Sequence, residues 1–411
     1  MKKILSIALA LTILLSFAAC KKGEEPATVT TNAPTEQTQN TTADESNTEP
    51  TEPIADRIPE QAPMAAISLP VSTTTDHTEN DVLLFTYQCQ TMYLIIPDKE
   101  IEDRVILDFQ KRLDRFSESA TEYSQRAKDD YNGSENWTPY FYNILYSPTR
   151  IDLSVLSLYG TNTSWAGGAH PTHNCTSANY DLMTGDVLTL GSILTHEDSL
   201  DQLCALIISE VAEIKAEKFI MDDYENIIRN RFSKNESYNE AWFFSTEGLS
   251  FYFSPYEIAP YSSGTISVTI PYENLTGIIE DQYFPAEQEI TTGTIQAIKQ
   301  NDTNITNFSQ IAEVILDKDG EMIFLFTDRS VQNISIEIGS WNTDRNEFIV
   351  DYTVFAAPIL TPGDAIMIQT IIPENEPNIR LVYTTQSECV TEYISQQSSD
   401  KTIILIDEND I

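Results

Sequence analysis

Hydrophobic positions change their spacing several times along this chain, and each change marks an element. Residues 82–96 alternate apolar and polar, the two-residue period of a half-buried strand, and Pro97-Asp98 closes the run. From residue 99 to about 128 the period lengthens. Ile101, Val105, Ile106, Phe109, Leu113 and Phe116 share one helical face with charge opposite, and Asp98 is placed to cap it. Residues 140–159 return to strands, with a break at Ser147-Pro148. Residues 176–182, a Thr184-Gly185-Asp186 turn and residues 187–190 predict a hairpin. A second helical region spans roughly residues 200–232, and three more strands follow at 241–244, 249–254 and 265–270. Strands interleaved with two long helices predict an α+β domain with an antiparallel sheet over residues 81–287.

Residues 289–411 read as almost purely β. Candidate strands are 294–299, 312–317, 321–327, 333–338, 348–354, 365–372, 379–385 and 402–406, with Asp319-Gly320 as a tight turn. That density of short strands predicts a small immunoglobulin-like sandwich. No internal repeat is present.

The N-terminal residues follow neither period. Lys2 and Lys3 precede an apolar run over 4–15, broken only by Ser6 and Thr12, and Phe17-Ala18-Ala19-Cys20 closes it. This is the pattern of a secretory signal, too short and wrongly flanked for a lasting membrane span. The closing cysteine resembles the lipobox of bacterial lipoproteins, with Phe17 where Leu is usual. The resemblance implies a lipid on Cys20 and anchoring at the extracytoplasmic face of the membrane. Residues 21–80 are rich in Thr, Glu, Pro, Asn and Gln, which predicts a disordered tether. Its root-mean-square reach as a flexible coil is about 40 Å.

Charge narrows the function classes. The 63 acidic and 24 basic residues give a net charge of −39, which excludes nucleic acid as a partner because phosphate binding needs clustered Lys and Arg. An acidic surface favours solubility and basic partners. Besides Cys20 there are Cys89, Cys175, Cys204 and Cys389. Their even number permits two disulfides. Cys89 nevertheless alternates in phase with Phe85, Tyr87 and Tyr93, and Cys204 shares a helical face with Leu200, Ile207, Ile208 and Val211. Buried free thiols are the expectation, and no Cys/His spacing suggests zinc.

Candidate chemistry concentrates in two loops. Gly167-Gly168-Ala169-His170 is followed by His173, a pairing that binds metal when it lies on a helix. The glycines and Pro171 place it in a loop instead, so a special backbone turn with a structural role for His170 is expected. Ser164 and Ser177 lie nearby, but neither sits in a nucleophile elbow. Asp317 to Glu321 lacks the remaining ligands of a calcium loop. Residues 255–264 hold Pro255, Tyr256, Pro260, Tyr261 and Gly264 between two strands, a semi-rigid aromatic loop of the kind that supplies binding area. The expected binding residues are therefore Trp165, His170, Pro255, Tyr256, Pro260 and Tyr261, with no catalytic residue, no metal and no cofactor.

A family resemblance covers about residues 81–287. Trp165-Ala166-Gly167-Gly168-Ala169-His170-Pro171 is followed by Asn179-Tyr180-Asp181-Leu182, Thr184-Gly185 and Leu188-Thr189-Leu190. Later come Leu249-Ser250-Phe251-Tyr252-Phe253, the 255–264 loop and Val268-Thr269-Ile270-Pro271-Tyr272. This pattern resembles the extracytoplasmic domain shared by RsiV-type anti-sigma factors and the non-catalytic part of PdaC-type peptidoglycan deacetylases, built from domains of unknown function 4163 and 3298. The resemblance implies lysozyme as one partner of such domains. A lipoprotein-type signal stands where a regulator of that type would carry a sigma-binding segment and membrane span. No histidine follows residue 287 to serve a deacetylase domain. The expectation is a surface-anchored, non-catalytic binding or sensing module for an envelope partner, a lysozyme-like protein or cell-wall glycan. The alternatives are a peptidoglycan-active enzyme using His170 and His173, and a structural accessory of a surface complex.

Overall fold

The computed structural model describes residues 65–407, apart from 79, 197, 234–240, 287–290, 301–307, 374–376, 387 and 398–400. Cys20, the signal segment and most of the expected tether lie outside the described residues. The described residues group as one compact unit. None of the described helices is long and apolar enough to cross a membrane.

The chain opens with β1 (Ala66–Ser68), β2 (Val71–His77), β3 (Leu83–Gln90) and β4 (Tyr93–Ile95), then α1 (Lys99–Asp130). Next come β5 (Tyr140–Ile151), β6 (Val155–Trp165) and β7 (Thr172–Asp181). A helical stretch follows: α2 (Leu190–Ile193), α3 (Ser199–Glu213), α4 (Lys215–Lys218) and α5 (Tyr224–Ser233). The hairpin strands β8 (Trp242–Phe244), β9 (Gly248–Phe253) and β10 (Ile266–Pro271) close this half. The second half holds β11 (Ile295–Lys299), β12 (Gln310–Ile315), β13 (Glu321–Thr327), β14 (Val331–Asn342) and β15 (Glu347–Leu360). It ends with β16 (Asp364–Thr370), β17 (Ile379–Thr385), β18 (Glu388–Gln396) and β19 (Ile403–Ile406).

The fold is mixed α/β and mostly sheet, in four sheets that are largely antiparallel. A five-stranded sheet runs β2-β3-β5-β6-β7, and its β3–β5 pair is parallel. Helix α1 starts where the sequence places it, because Asp98 accepts hydrogen bonds from the Glu100 and Ile101 amides at 2.9 and 3.2 Å. Its apolar face, Val105, Phe109 and Leu113, packs with Ile144, Leu156 and Tyr180 of the sheet. Strands β8, β9 and β10 form a small separate sheet. The buried Asn179 amide joins it to β7 by donating to the Trp242 carbonyl at 3.0 Å.

The second half forms a two-layer sandwich of β11-β13-β16-β12 against a seven-stranded sheet, β19-β18-β17-β14-β15-β1-β4. Two strands of that larger sheet come from the N-terminal half, so the expected break near residue 288 is bridged. Alternation along β1 makes the bridge possible: Ala66 lies in the sandwich core, while Ala65 and Ile67 lie in the core beneath α1. Residues 66–68 and 71–77, expected to belong to a disordered tether reaching residue 80, are strands instead. The sandwich also departs from an all-antiparallel immunoglobulin pattern, because β12 and β16 are parallel.

Other expectations shift locally. β5 continues through Ser147-Pro148, and a register shift between Pro148 and Arg150 absorbs the missing amide. The 82–96 run divides into β3 and β4, which belong to different sheets, and Tyr93 is 58% exposed rather than inward. The return arm at 187–190 reduces to one bridge, Tyr180 to Val187, before α2. No disulfide joins the four described cysteines: Cys204 is buried, Cys89 and Cys175 are half-buried, and Cys389, expected inside, is exposed.

Candidate functional site

Both loops singled out in the sequence meet at one end of the five-stranded sheet. Strands β6 and β7 are joined by the turn that holds Gly167 and Gly168, whose φ values of 83° and 107° only glycine adopts freely. A side chain at Gly167 would press on the Tyr140 hydroxyl at 3.2 Å. The Trp165 indole N–H donates to the Gly168 carbonyl at 3.3 Å and closes the turn. His170 then projects to the surface.

Between β9 and β10 the other loop folds as two linked turns. The Tyr256 amide donates to the Ala259 carbonyl at 3.0 Å, and the Ser263 amide to the Pro260 carbonyl at 2.9 Å. Buried Ile258 and Ala259 fix it to the core. Glu257 adds a polar anchor: its carboxylate accepts from the Ser254 amide at 2.9 Å and pairs with Arg231 of α5 at 2.6 Å. Burial raises the Glu257 pKa, and the Arg231 charge opposes that rise. Arg231 is held in turn over the Phe253 ring, 4.9 Å from its centroid.

The loops touch through Tyr261. Its ring stacks on His170 with centroids 4.2 Å apart, and its hydroxyl donates to the Pro171 carbonyl at 3.1 Å. The Tyr256 ring lies 5.5 Å from that of Tyr261 and the His173 ring 6.1 Å, centroid to centroid. The His170 and His173 Nδ1 atoms are each engaged, with the Pro171 carbonyl at 3.0 Å and the Thr163 hydroxyl at 3.4 Å. Burial, and then the neighbouring His170, lowers the His173 pKa.

Tyr256 is presented outward, 61% exposed, on left-handed backbone with φ of 73°. That conformation costs a non-glycine residue roughly 1–2 kcal/mol. Pro255 and Pro260 flank it, half-buried, as stiffeners rather than as contact groups. Trp165 joins a different aromatic row: it meets Tyr140 edge-on at 5.5 Å, Tyr140 meets Trp137 at 5.0 Å, and Trp137 meets Tyr131 at 5.4 Å. No ring contact joins Trp165 to His170 among the described residues. Of the six expected binding residues, His170, Tyr256 and Tyr261 thus meet through Tyr261, Pro255 and Pro260 stiffen the loop that carries the tyrosines, and Trp165 closes the β6–β7 turn.

Both nearby serines lie inside the fold. Ser164 is buried and shares a hydrogen bond with Tyr123 at 3.1 Å, while Ser177 is buried within β7. Among the described residues no group of three His, Cys, Asp or Glu side chains is arranged to hold a metal ion. Asp317 caps an ordinary turn, accepting the Asp319 amide at 2.9 Å.

Sequence reasoning missed a third turn beside these two. α4 ends at Phe219, again left-handed with φ of 55°, and the Met221 amide donates to the Ile258 carbonyl at 2.8 Å. The apolar period from 200 to 232 conceals that stop, because no glycine marks it.

Residues 192–273 match the model of a family described as a protein of unknown function, DUF3298. The match spans α3 to β10 and includes the 255–264 loop and Phe219; the Trp165–His170 turn lies upstream of it. Two solved structures of DUF3298 proteins are similar. That from Bacteroides fragilis NCTC 9343 shares 17% identity, covers 53% of this chain and 94% of its own, and gives a TM-score of 0.40. That from Pseudomonas aeruginosa PAO1 shares 18% identity, covers 54% and 97%, and gives 0.37. No curated protein matches the chain.

Proposed function

We propose that this protein is a lipid-anchored, extracytoplasmic binding module whose His170–Tyr261–Tyr256 surface recognises an envelope partner without transforming it. The convergence of two separate loops on one aromatic stack carries the reading. Rings fixed by hydrogen bonds and buried anchors lose little freedom on binding, so their contact area contributes directly to affinity. The lipobox-like Cys20 and the polar segment after it would tether the folded part to the membrane. The remaining features of an RsiV/PdaC-type domain, including a neighbouring 4163-type module, belong to the same proposal, as does a supporting role for the β-sandwich.

The partner is a basic envelope protein of the lysozyme type or cell-wall glycan. A net charge of −39 steers a cationic protein toward the surface, and the exposed Tyr256 ring would stack on a sugar equally well. A pull-down with lysozyme and with purified cell wall, followed by analysis of released muropeptides, tests the reading. Saturable retention with no product supports it; product release that depends on His170 and His173 would establish an enzyme instead. In parallel, Cys20→Ala should abolish palmitate incorporation and release the protein from the membrane.

A further inference from the structure

Phe219 and Tyr256 share an uncommon combination. Each is aromatic, each sits in left-handed backbone, and they expose 72% and 61% of their surface. Bulky side chains at positive φ persist only where the surroundings over-determine them, and such strain gathers at functional sites. A helix stop of this kind normally carries glycine. Here α4 stops on Phe219, whose amide, like that of Ile220, donates to the Lys215 carbonyl, and buried Ile220 pins the turn. A phenylalanine at that position adds no core packing and costs backbone freedom.

The two aromatic turns are one body. Beside the Met221–Ile258 bond, the Ser263 hydroxyl donates to the Lys218 carbonyl at 2.7 Å. Met221, itself exposed, lies on the same junction. Around it the net charge is negative: residues 213–225 hold five carboxylates against two lysines. Both lysines are already paired, Lys215 with Asp222 at 2.9 Å and Lys218 with Glu217 at 2.8 Å. The acidic rim therefore has no local excess of cations to neutralise it.

We infer that Phe219, Met221 and Tyr256 form a docking surface for a cationic amphipathic polypeptide segment, apolar side chains against the rings and Lys or Arg against the rim. A glycan would stack on the rings and use the carboxylates as hydrogen-bond acceptors, but a neutral sugar brings no cation to pair with them, so the net negative rim favours a cationic polypeptide. The inference rests on the aromatic face being a binding surface, and extends that face onto a turn from a different element.

The test uses the full chain and the anisotropy of a labelled short amphipathic Leu/Lys peptide at about 150 mM salt, where exposed charges are screened beyond about 8 Å. A Ser/Lys peptide and a Leu/Glu peptide of the same pattern serve as controls. The expected result is saturable binding of the Leu/Lys peptide alone, weakened at least about tenfold by Phe219→Gly and by Tyr256→Gly. Both variants should melt at or above the wild-type temperature, since glycine relieves the left-handed backbone. Equal binding of the Ser/Lys peptide, or no binding of the Leu/Lys peptide, overturns the inference. If Phe219→Gly binds normally while Tyr261→Ala is weakened, the extension fails and the aromatic surface stands. If neither variant changes binding, both fail.

Discussion

Tyr261 concentrates the chemistry of the surface in one side chain, because its ring carries the His170 stack and its hydroxyl holds the β6–β7 turn through Pro171. His173 beside it gives that arrangement a pH dependence. Burial and His170 lower the His173 pKa from its ordinary 6.5, so folding favours the neutral ring. A lowered folded pKa contributes stability that is complete above the unfolded value and is lost as pH falls through the folded one. His173→Gln should therefore flatten the fall in melting temperature between about pH 7 and pH 5, measured by calorimetry. An unchanged acid limb would show that His173 is not responsible. At this scale the sequence was informative about which side chains matter, since glycines 167 and 168 and the paired prolines announce their turns. It was silent about Phe219, whose left-handed stop lacks the glycine that usually signals one.

Among the elements, legibility followed the strength of the local signal. α1 is readable to its first residue because a long apolar period and an aspartate cap agree. β13 and β17 match their expected bounds, with one inward face each or nearly so. β18 escapes notice because Glu388 and Glu392 interrupt its pattern and most of it is only half-buried. β1 is hidden differently: three residues at the end of a Pro- and Thr-rich stretch carry no period, and only pairing with β15 and β4 makes them a strand. That short strand joins the two cores. Ile67 is fully buried, so Ile67→Ala should cost about 2–5 kcal/mol. Because β1 belongs to the sandwich sheet as well, the whole of residues 64–411 should melt earlier in a single transition. Two transitions, with only one displaced, would restore a division near residue 288.

For the whole molecule, the α+β character and the β-rich second half were readable from periodicity alone, whereas their shared sheet was not, because it depends on pairing between residues nearly 300 positions apart. The same holds for the site: each loop is visible in the sequence, and their meeting is a property of the fold. In the proposed reading, acidity, a tether and the aromatic face combine into one physical picture, in which long-range charge would gather a partner and fixed rings would hold it. Titration calorimetry of the purified protein with lysozyme and with soluble cell-wall fragments, at about 150 mM salt, tests that picture most directly when wild type is compared with Tyr256→Ala/Tyr261→Ala. The expected result is saturable binding to one of the two ligands, weakened at least about tenfold in the double variant without loss of folding. Binding that vanishes with salt, or that the double variant retains in full, would contradict it.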